Sequence, residues 1–192
     1  VTQLIGFRSH SDEHKTQWLG LEGDPVFASL FEQILGGGTA EAPDLQSRYF
    51  TPGLGGVVAF SPRFYKAIGI EPVAQDGAHD VPSRSHLPES LSRQLAASVQ
   101  QACATVAAQI AERARSATGV KYLCLAGGVF SNPVIVAEVE RLTGFDQVFV
   151  QPAAGNEGTA LGAAWYLRHC SQGAKRTAPI EHVYWGPAYS NQ

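Results

Sequence analysis

An α/β fold with parallel strands and flanking helices is predicted by three features of the sequence. Two glycine-bearing loops occupy what read as consecutive strand-to-helix junctions, Leu123-Cys-Leu-Ala-Gly-Gly-Val-Phe-Ser-Asn132 and Gln151-Pro-Ala-Ala-Gly-Asn-Glu-Gly-Thr-Ala-Leu-Gly162. A long run of apolar residues at helical spacing precedes them. The chain has 192 residues, 44% of them hydrophobic, which is enough for one well-buried core and short for two generous domains. One domain with a decorated insertion is therefore expected, the insertion at about residues 22–90 and a β-α-β-α core over 91–192.

Taken in chain order, the first half gives the weaker signals. Residues 27–35 have the pattern of a short amphipathic helix, and residues 57–60 that of a strand. The run Gly36-Gly37-Gly38 resembles a phosphate loop only superficially, because no Lys-Ser/Thr follows and no strong strand precedes it; a connecting segment is expected. Residues 74–85, rich in Pro, Gly, Asp and Ser, read as a surface loop.

Periodicity becomes clear after Pro88. Apolar side chains recur at Leu91, Leu95, Val99, Cys103, Val106, Ile110, Ala114 and Ala117, with Pro88 suited to the first turn and Gly119 to a left-handed stop. Tyr122 to Leu125 is a nearly continuous apolar run, the pattern of a strand covered on both faces. Ser131 or Asn132 can cap the next helix, with Pro133 in its first position, Val134, Ile135, Val139 and Leu142 as its buried stripe, and Gly144 as its stop. Residues 148–150 form the next strand, and a helix of small residues runs from about 159 to 169. Two β-loop-α units in tandem imply parallel strands joined by right-handed crossovers.

Composition narrows the function. The net charge of -3 and the absence of a dense Lys/Arg cluster argue against a nucleic-acid surface. No apolar run reaches the roughly 18 residues a membrane span needs, and the first residues lack a basic signal-peptide region, so a cytoplasmic protein without membrane contact is expected. Cys103, Cys124 and Cys170 show neither disulfide nor zinc spacing and read as buried small hydrophobes in a reducing compartment. There is no methionine, position 1 included, so the chain is expected to be a piece of a longer product.

The residues with chemical potential cluster in the two loops. Gly127 and Gly128 let the backbone turn sharply and bring N–H groups against an anion, aided by the dipole of the following helix; an ordinary tight turn has the same spacing. Asn132 can cap that helix or contact a ligand. In the second loop Gly155 and Gly158 flank Asn156 and Glu157, and polar residues between glycines at a strand's carboxyl end favour a ligand or metal contact. The small residues from Gly162 onward are expected to pack closely against a neighbouring helix. His10 and His14 lie four apart around Glu13, but Ser9, Ser11 and Asp12 make an exposed turn or cap the better reading than a metal pair. His79, His86, His169 and His182 form no local constellation, and there is no G-x-S-x-G elbow or H-E-x-x-H.

Both loops, together with residues 145–150 and Tyr184-Trp-Gly-Pro-Ala-Tyr-Ser190, resemble the O-carbamoyltransferases of the nodulation, cephalosporin and aminoglycoside-modifying family. The transferase domain of that family is similar to the universal tRNA-threonylcarbamoyladenosine enzyme. Ile5-Gly-Phe-Arg, Glu13-His-Lys15 and Leu19-Gly-Leu21 look like a worn version of its Gly-Glu-Tyr-Lys-x-Met-Gly-Leu-Ala segment. The resemblance implies an actin-like, two-lobed ATP-binding fold of ribonuclease-H-like halves, with a mixed sheet, of which this chain is mainly the second, C-terminal lobe. A first lobe bearing paired metal-binding histidines would precede Val1, and an adenylate-forming domain would follow Gln192.

The same resemblance implies that carbamoyl phosphate and ATP become carbamoyl adenylate, whose carbamoyl group passes to a hydroxylated small-molecule acceptor. Gly127, Gly128 and Val129 would contact the nucleotide, with Asn132, Gly155 and Gly158 nearby, and Glu13 and Lys15 would meet ribose and phosphate. Where the family reads Gly-Asp-x-Gly and uses the aspartate on a divalent metal, iron or magnesium, this chain has Gly155-Asn156-Glu157-Gly158. A neutral amide oxygen binds a hard cation more weakly than a carboxylate. An actin-like-fold kinase and a non-catalytic nucleotide-binding or assembly module are the alternatives.

Overall fold

The computed structural model describes residues 1–8, 11–36, 44–52, 58–72, 87–176 and 186–190. Its elements are α1 (Glu13–Gly20), α2 (Ala28–Ile34), β1 (Phe50–Pro52), β2 (Val58–Phe60), α3 (Pro62–Ala67), α4 (Glu89–Thr118), β3 (Tyr122–Leu125), α5 (Pro133–Leu142), β4 (Gln147–Val150) and α6 (Thr159–Trp165). They fall into two compact units, one of Val1–Leu123 with Asn132–Val148, the other of Cys124–Ser131 with Phe149–Gln192. The α/β class is as the sequence predicts. Among the described residues the strands form two two-stranded sheets, β1 with β2 and β3 with β4. The loop expected at residues 74–85 lies outside the described residues, as do His10, His79, His86 and His182.

The larger unit is built on α4, 30 residues long, which begins after Pro88 and ends at Gly119 with φ 69°, where the Gly119 N–H closes on the Arg115 carbonyl. Three helices, α1, α2 and α5, pack on it. That arrangement alters the stripe expected from periodicity. The most buried positions include the small residues Ala96, Ala97, Ser98, Ala102, Ala104, Ala108 and Ala111, whereas Ile110 is 45% exposed and Ala114 and Ala117 face solvent. Partners on several sides bury most of the circumference near the middle, and small side chains let their backbones come close. Gly20 lies so near that a Cβ would sit 3.1 Å from the Ala96 carbonyl carbon, and a Cβ at Gly23 would run into the Arg93 carbonyl at 2.2 Å. Buried Ser98 accepts the Phe27 N–H at 2.9 Å and donates to the Gln94 carbonyl at 2.6 Å, so its hydroxyl is satisfied while tying the start of α2 to α4.

Residues 22–90, expected to be less regular, supply much of the aromatic core. Phe31, Tyr49 and Phe64 are buried with Ile5, Ile34, Ile68 and Leu95. Phe60 stacks on Phe64, and Phe50 stacks on Phe60 across the antiparallel β1–β2 pair, in which Phe50 faces Phe60. Pro62 starts α3 directly after Ser61, whose hydroxyl donates to the Arg48 carbonyl at 2.9 Å.

Helix α5 begins at Pro133 as expected, with Asn132 as its cap. Ile135 and Val139 are buried, while Leu142, expected in the stripe, is 43% exposed. Glu112 on α4 forks with Arg115 and also accepts the Gly144 N–H at 3.1 Å, fastening the segment that leads from α5 to β4. These bonds hold its carboxyl down at about 2, the Arg115 guanidinium being the largest cause and the Gly144 amide the next. Strands β3 and β4 run parallel, because Asp146 N–H bonds to Lys121 O and Gln151 N–H to Leu125 O, pairs that ascend together.

Two expectations about cover fail. Tyr122 is 65% exposed and Cys124 is exposed, so β3 is not covered on both faces among the described residues, and only Leu125 is buried. Cys170 is likewise exposed and Cys103 half-buried, contrary to the reading of all three thiols as core. A sheet of two strands, without further layers among the described residues, gives these side chains little to pack against. No helix among them is long and apolar enough to cross a membrane.

Phe64→Ala is expected to cost about 3–5 kcal/mol in chemical denaturation, and Ile110→Ala less than about 1 kcal/mol, because Phe64 is 0% and Ile110 45% exposed. Glu112 stabilises the folded state as the carboxylate, so its contribution is complete above its ordinary value of 4.5 and disappears as the pH falls through about 2. Thermal melts should show Glu112→Gln slightly less stable than wild type at pH 7, as suits a solvent-screened ion pair, with the gap closing as pH approaches 2; a gap that persists there would contradict the assignment.

Candidate functional site

The two glycine loops belong to the smaller unit and are joined by a backbone bond, Gly127 N–H to Ala154 O at 2.7 Å. Because β3 and β4 are parallel, both loops lie at the same end of the strand pair, the carboxyl end, where α/β folds receive ligands. Each glycine has a different reason for being one. Gly127 adopts φ 113°, which an L side chain rarely tolerates, although nothing lies within 4 Å of where its Cβ would be. Gly128 also borders open space and begins a tight helical turn, Gly128–Ser131, in which Phe130 N–H bonds to Gly127 O at 3.0 Å. The amides of Gly128 and Val129, the first two of that turn, lie outside its own hydrogen bonding. The Val129 side chain is 48% exposed.

In the second loop Gly158 is dictated by packing, since a Cβ there would meet the Ala153 carbonyl oxygen at 2.3 Å. Ala153 itself has φ 54°, a left-handed conformation uncommon outside glycine. The Glu157 carboxylate folds back and accepts the Gly155 N–H at 3.3 Å, and the Thr159 hydroxyl donates to the Asn156 carbonyl at 2.6 Å. Asn156 is exposed. Among the described residues no three His, Cys, Asp or Glu side chains gather as a metal set. Asn156 and Glu157 by themselves offer one neutral amide oxygen and one carboxylate already engaged with the loop, a poor donor set for a divalent cation.

The remaining candidates lie in the larger unit. Asn132 is engaged at both ends of its amide at the head of α5: its Oδ1 accepts the Val134 N–H at 3.0 Å, and its Nδ2 donates to Gln100 Oε1 at 2.9 Å. Gln100, only 9% exposed on α4, was not singled out by sequence reasoning. Its sole signal was a polar residue within an otherwise small and apolar stretch of helix. Glu13 opens α1, and Lys15 pairs with Asp12 at 2.9 Å and lies over the Phe7 ring at 5.9 Å. Asp12 also accepts the Arg8 N–H, and its carboxyl is held low, first by the Lys15 bond and then by that amide. Asp12 stands at the N-cap position of α1 without a side-chain cap bond, and Ser9 and His10 lie outside the described residues. An open pocket is lined by Glu22, Asp24, Glu89 and Arg93; Arg93 pairs with both Glu22 and Glu89, and the lining stays net acidic.

Helix α6 runs on into a π-helical segment, Tyr166–Ser171. The close packing expected from Gly162 onward is not found among the described residues: nothing lies within 4 Å of a Cβ on Gly162, and Ala163 and Ala164 are exposed.

An α/β protein with paired glycine loops at the carboxyl ends of parallel strands falls in the broad class built to receive ligands there. Comparison with known proteins narrows this, since the family described as Carbamoyltransferase N-terminus matches residues 1–165. The chain belongs to that carbamoyltransferase family. It is similar to nodulation protein NolO of Bradyrhizobium diazoefficiens, 41% identical over 103 residues, which cover 52% of this chain and 18% of that protein. Nodulation protein NolNO of Sinorhizobium fredii is 38% identical over 96 residues, covering 50% of this chain and 14% of that protein. An uncharacterized Synechocystis protein is 29% identical over 201 aligned positions that cover 100% of this chain and 30% of its own length. The chain thus spans less than a third of the length of these curated relatives.

Gly158→Ala is expected to destabilise the second loop, because the added methyl runs into a backbone carbonyl that cannot move aside alone. Gly162→Ala, in open space within α6, should instead stabilise by about 0.5–1 kcal/mol. Melting curves of the two variants should move in opposite directions; a shift of both the same way would contradict the difference in their surroundings.

Proposed function

We propose that this chain supplies part of the transfer site of an ATP-dependent carbamoyltransferase. The observation that supports this most directly is the bond from Gly127 to Ala154, which holds two glycine loops together beside open space at Gly127 and Gly128. Backbone amides of Gly128 and Val129 suit the phosphate of carbamoyl adenylate, itself made from carbamoyl phosphate and ATP. In the transfer step the acceptor hydroxyl oxygen bonds to the carbamoyl carbon, the bond from that carbon to the adenylate oxygen breaks, AMP leaves and the hydroxyl proton is released. Holding the adenylate still while the acceptor oxygen approaches is the contribution asked of the loops. Gly155 and Gly158 shape the second loop.

The rest of the cleft, including the first lobe and the adenylate-forming domain, is assigned to parts of the parent protein outside this chain. Ligands for the divalent ion would come mainly from there, given the poor donor set at Asn156 and Glu157. The acceptor is a hydroxylated small molecule of the sugar, antibiotic or lipo-oligosaccharide kind.

Incubating the full-length parent with labelled carbamoyl phosphate, ATP and a panel of hydroxylated acceptors should place label on an acceptor hydroxyl and yield AMP. A phosphorylated acceptor with ADP would mean a kinase. ATP binding with no turnover of either kind would mean a nucleotide-binding module.

A further inference from the structure

We propose that Ala153 is a positioning residue for the two glycine loops: its left-handed backbone turns the second loop so that the Ala154 carbonyl captures the Gly127 N–H, which leaves Gly128 and Val129 as the donors for a phosphate. The proposal rests on the nucleotide reading of those loops given above, and every residue it uses belongs to the smaller unit. Among the described residues Ala153, at φ 54°, is the one non-glycine with positive φ. An L side chain is disfavoured in that region and persists there only where its surroundings hold it.

The strand pairing shows what the turn accomplishes. The Gln151 N–H bonds to the Leu125 carbonyl at 3.0 Å. In a parallel ladder the Gln151 carbonyl would then receive the N–H two residues further along the other chain, that of Gly127. Gly127 bonds instead to Ala154 O, three residues beyond Gln151, at 2.7 Å. Pro152, Ala153 and Ala154 are therefore folded back so that a later carbonyl takes the place of the expected one, and the left-handed residue at the centre of the three reverses the chain.

The surroundings hold this turn from several sides. Pro152 has its φ fixed by its ring, and its carbonyl accepts Gln151 Nε2 at 3.1 Å. Ala154 is buried, and the Ala153 carbonyl oxygen occupies space that a Cβ on Gly158 would fill. Gly127 is then fixed at both of its backbone groups, since its carbonyl accepts the Phe130 N–H at 3.0 Å. The amides of Gly128 and Val129 lie between those two pinned points. Ala153 touches no ligand in this scheme and acts through the Ala154 carbonyl.

The test substitutes residue 153 in the full-length parent and follows hydrogen exchange at the Gly127 amide by mass spectrometry and ATP affinity by calorimetry. Ala153→Val places a β-branched residue where φ is positive, a conformation it strongly resists. Exchange at Gly127 should quicken about tenfold and ATP binding should weaken about five- to tenfold. The melting temperature should stay close to that of wild type, because residue 153 is an exposed loop position. Ala153→Asn adds a side chain of comparable size that tolerates the left-handed region, and both quantities should stay within about twofold of wild type. Unchanged exchange in the valine variant, or an asparagine variant that behaves like it, would overturn the proposal. So would faster exchange with undiminished ATP affinity, since the bond would then join the loops without presenting a donor.

If the valine variant does not fold, Ala153→Gly serves in its place. Glycine relieves the strain and should slow exchange at Gly127 about two- to fivefold; quicker exchange there would overturn the proposal. A wild-type parent that binds no ATP, with the exchange pattern of the variants as expected, would remove the nucleotide reading and keep Ala153 as the residue that joins the loops.

Discussion

How closely a neighbouring backbone can approach α4 governs the larger unit. Where Ala96 and Ala97 face α1, the partner is Gly20, and where the turn after α1 crosses Arg93 the residue is Gly23, whose missing side chain leaves room for a carbonyl. Such approach replaces a few large interlocking side chains with many short contacts between small ones, each weak and together substantial. It also brings polar backbone groups near one another, so buried hydroxyls and amides are needed to satisfy them. Ser98 does this for the Phe27 amide at the start of α2, and Gln100 accepts from the side chain of Asn132, which caps α5. The same small-residue helix therefore both packs the unit and carries the polar side chains that set its neighbours' ends.

This explains which parts of the fold could be read from the sequence. Helix α4, the cap and first proline of α5, strands β3 and β4 and the helix over Phe31 and Ile34 were legible because their signals are local: a period, a cap, a stop. The buried face of α4 was not, since periodicity favours large apolar residues and gives Ile110 more weight than Ala102, whereas neighbours on several sides reverse that order. Residues 57–60 did show the pattern of a strand, but the Phe60–Phe64 stack escaped because α3 has only six residues and β1 three, too short for a period to register. Expected cover on β3 failed for another reason. An apolar run of strand residues records what the side chains can tolerate, and the packing layers that would bury Tyr122 are not among the described residues.

The candidate site was legible as chemistry and less so as geometry. Glycines at strand ends are conspicuous, but spacing treats them as equivalent, and the structure separates them into a backbone conformation at Gly127, open space at Gly128 and a carbonyl contact at Gly158. The bond that joins the loops, Gly127 to Ala154, involves the backbone of an alanine and leaves no mark in the sequence. Gln100 was hidden for a related reason: a glutamine on a helix ordinarily faces water, and its partner lies beyond the end of its own helix.

Asn156 bears on the site through charge as well as through metal affinity. A carboxylate there would stand beside any phosphate drawn to the loop amides, and two anions in proximity need a cation between them to coexist. A neutral amide carries no such requirement. Glu157, the remaining carboxylate of the loop, accepts the Gly155 N–H, which disperses part of its charge into the backbone that shapes the turn. The second loop thus carries a neutral, exposed amide at Asn156 and keeps its carboxylate, Glu157, engaged with the Gly155 N–H.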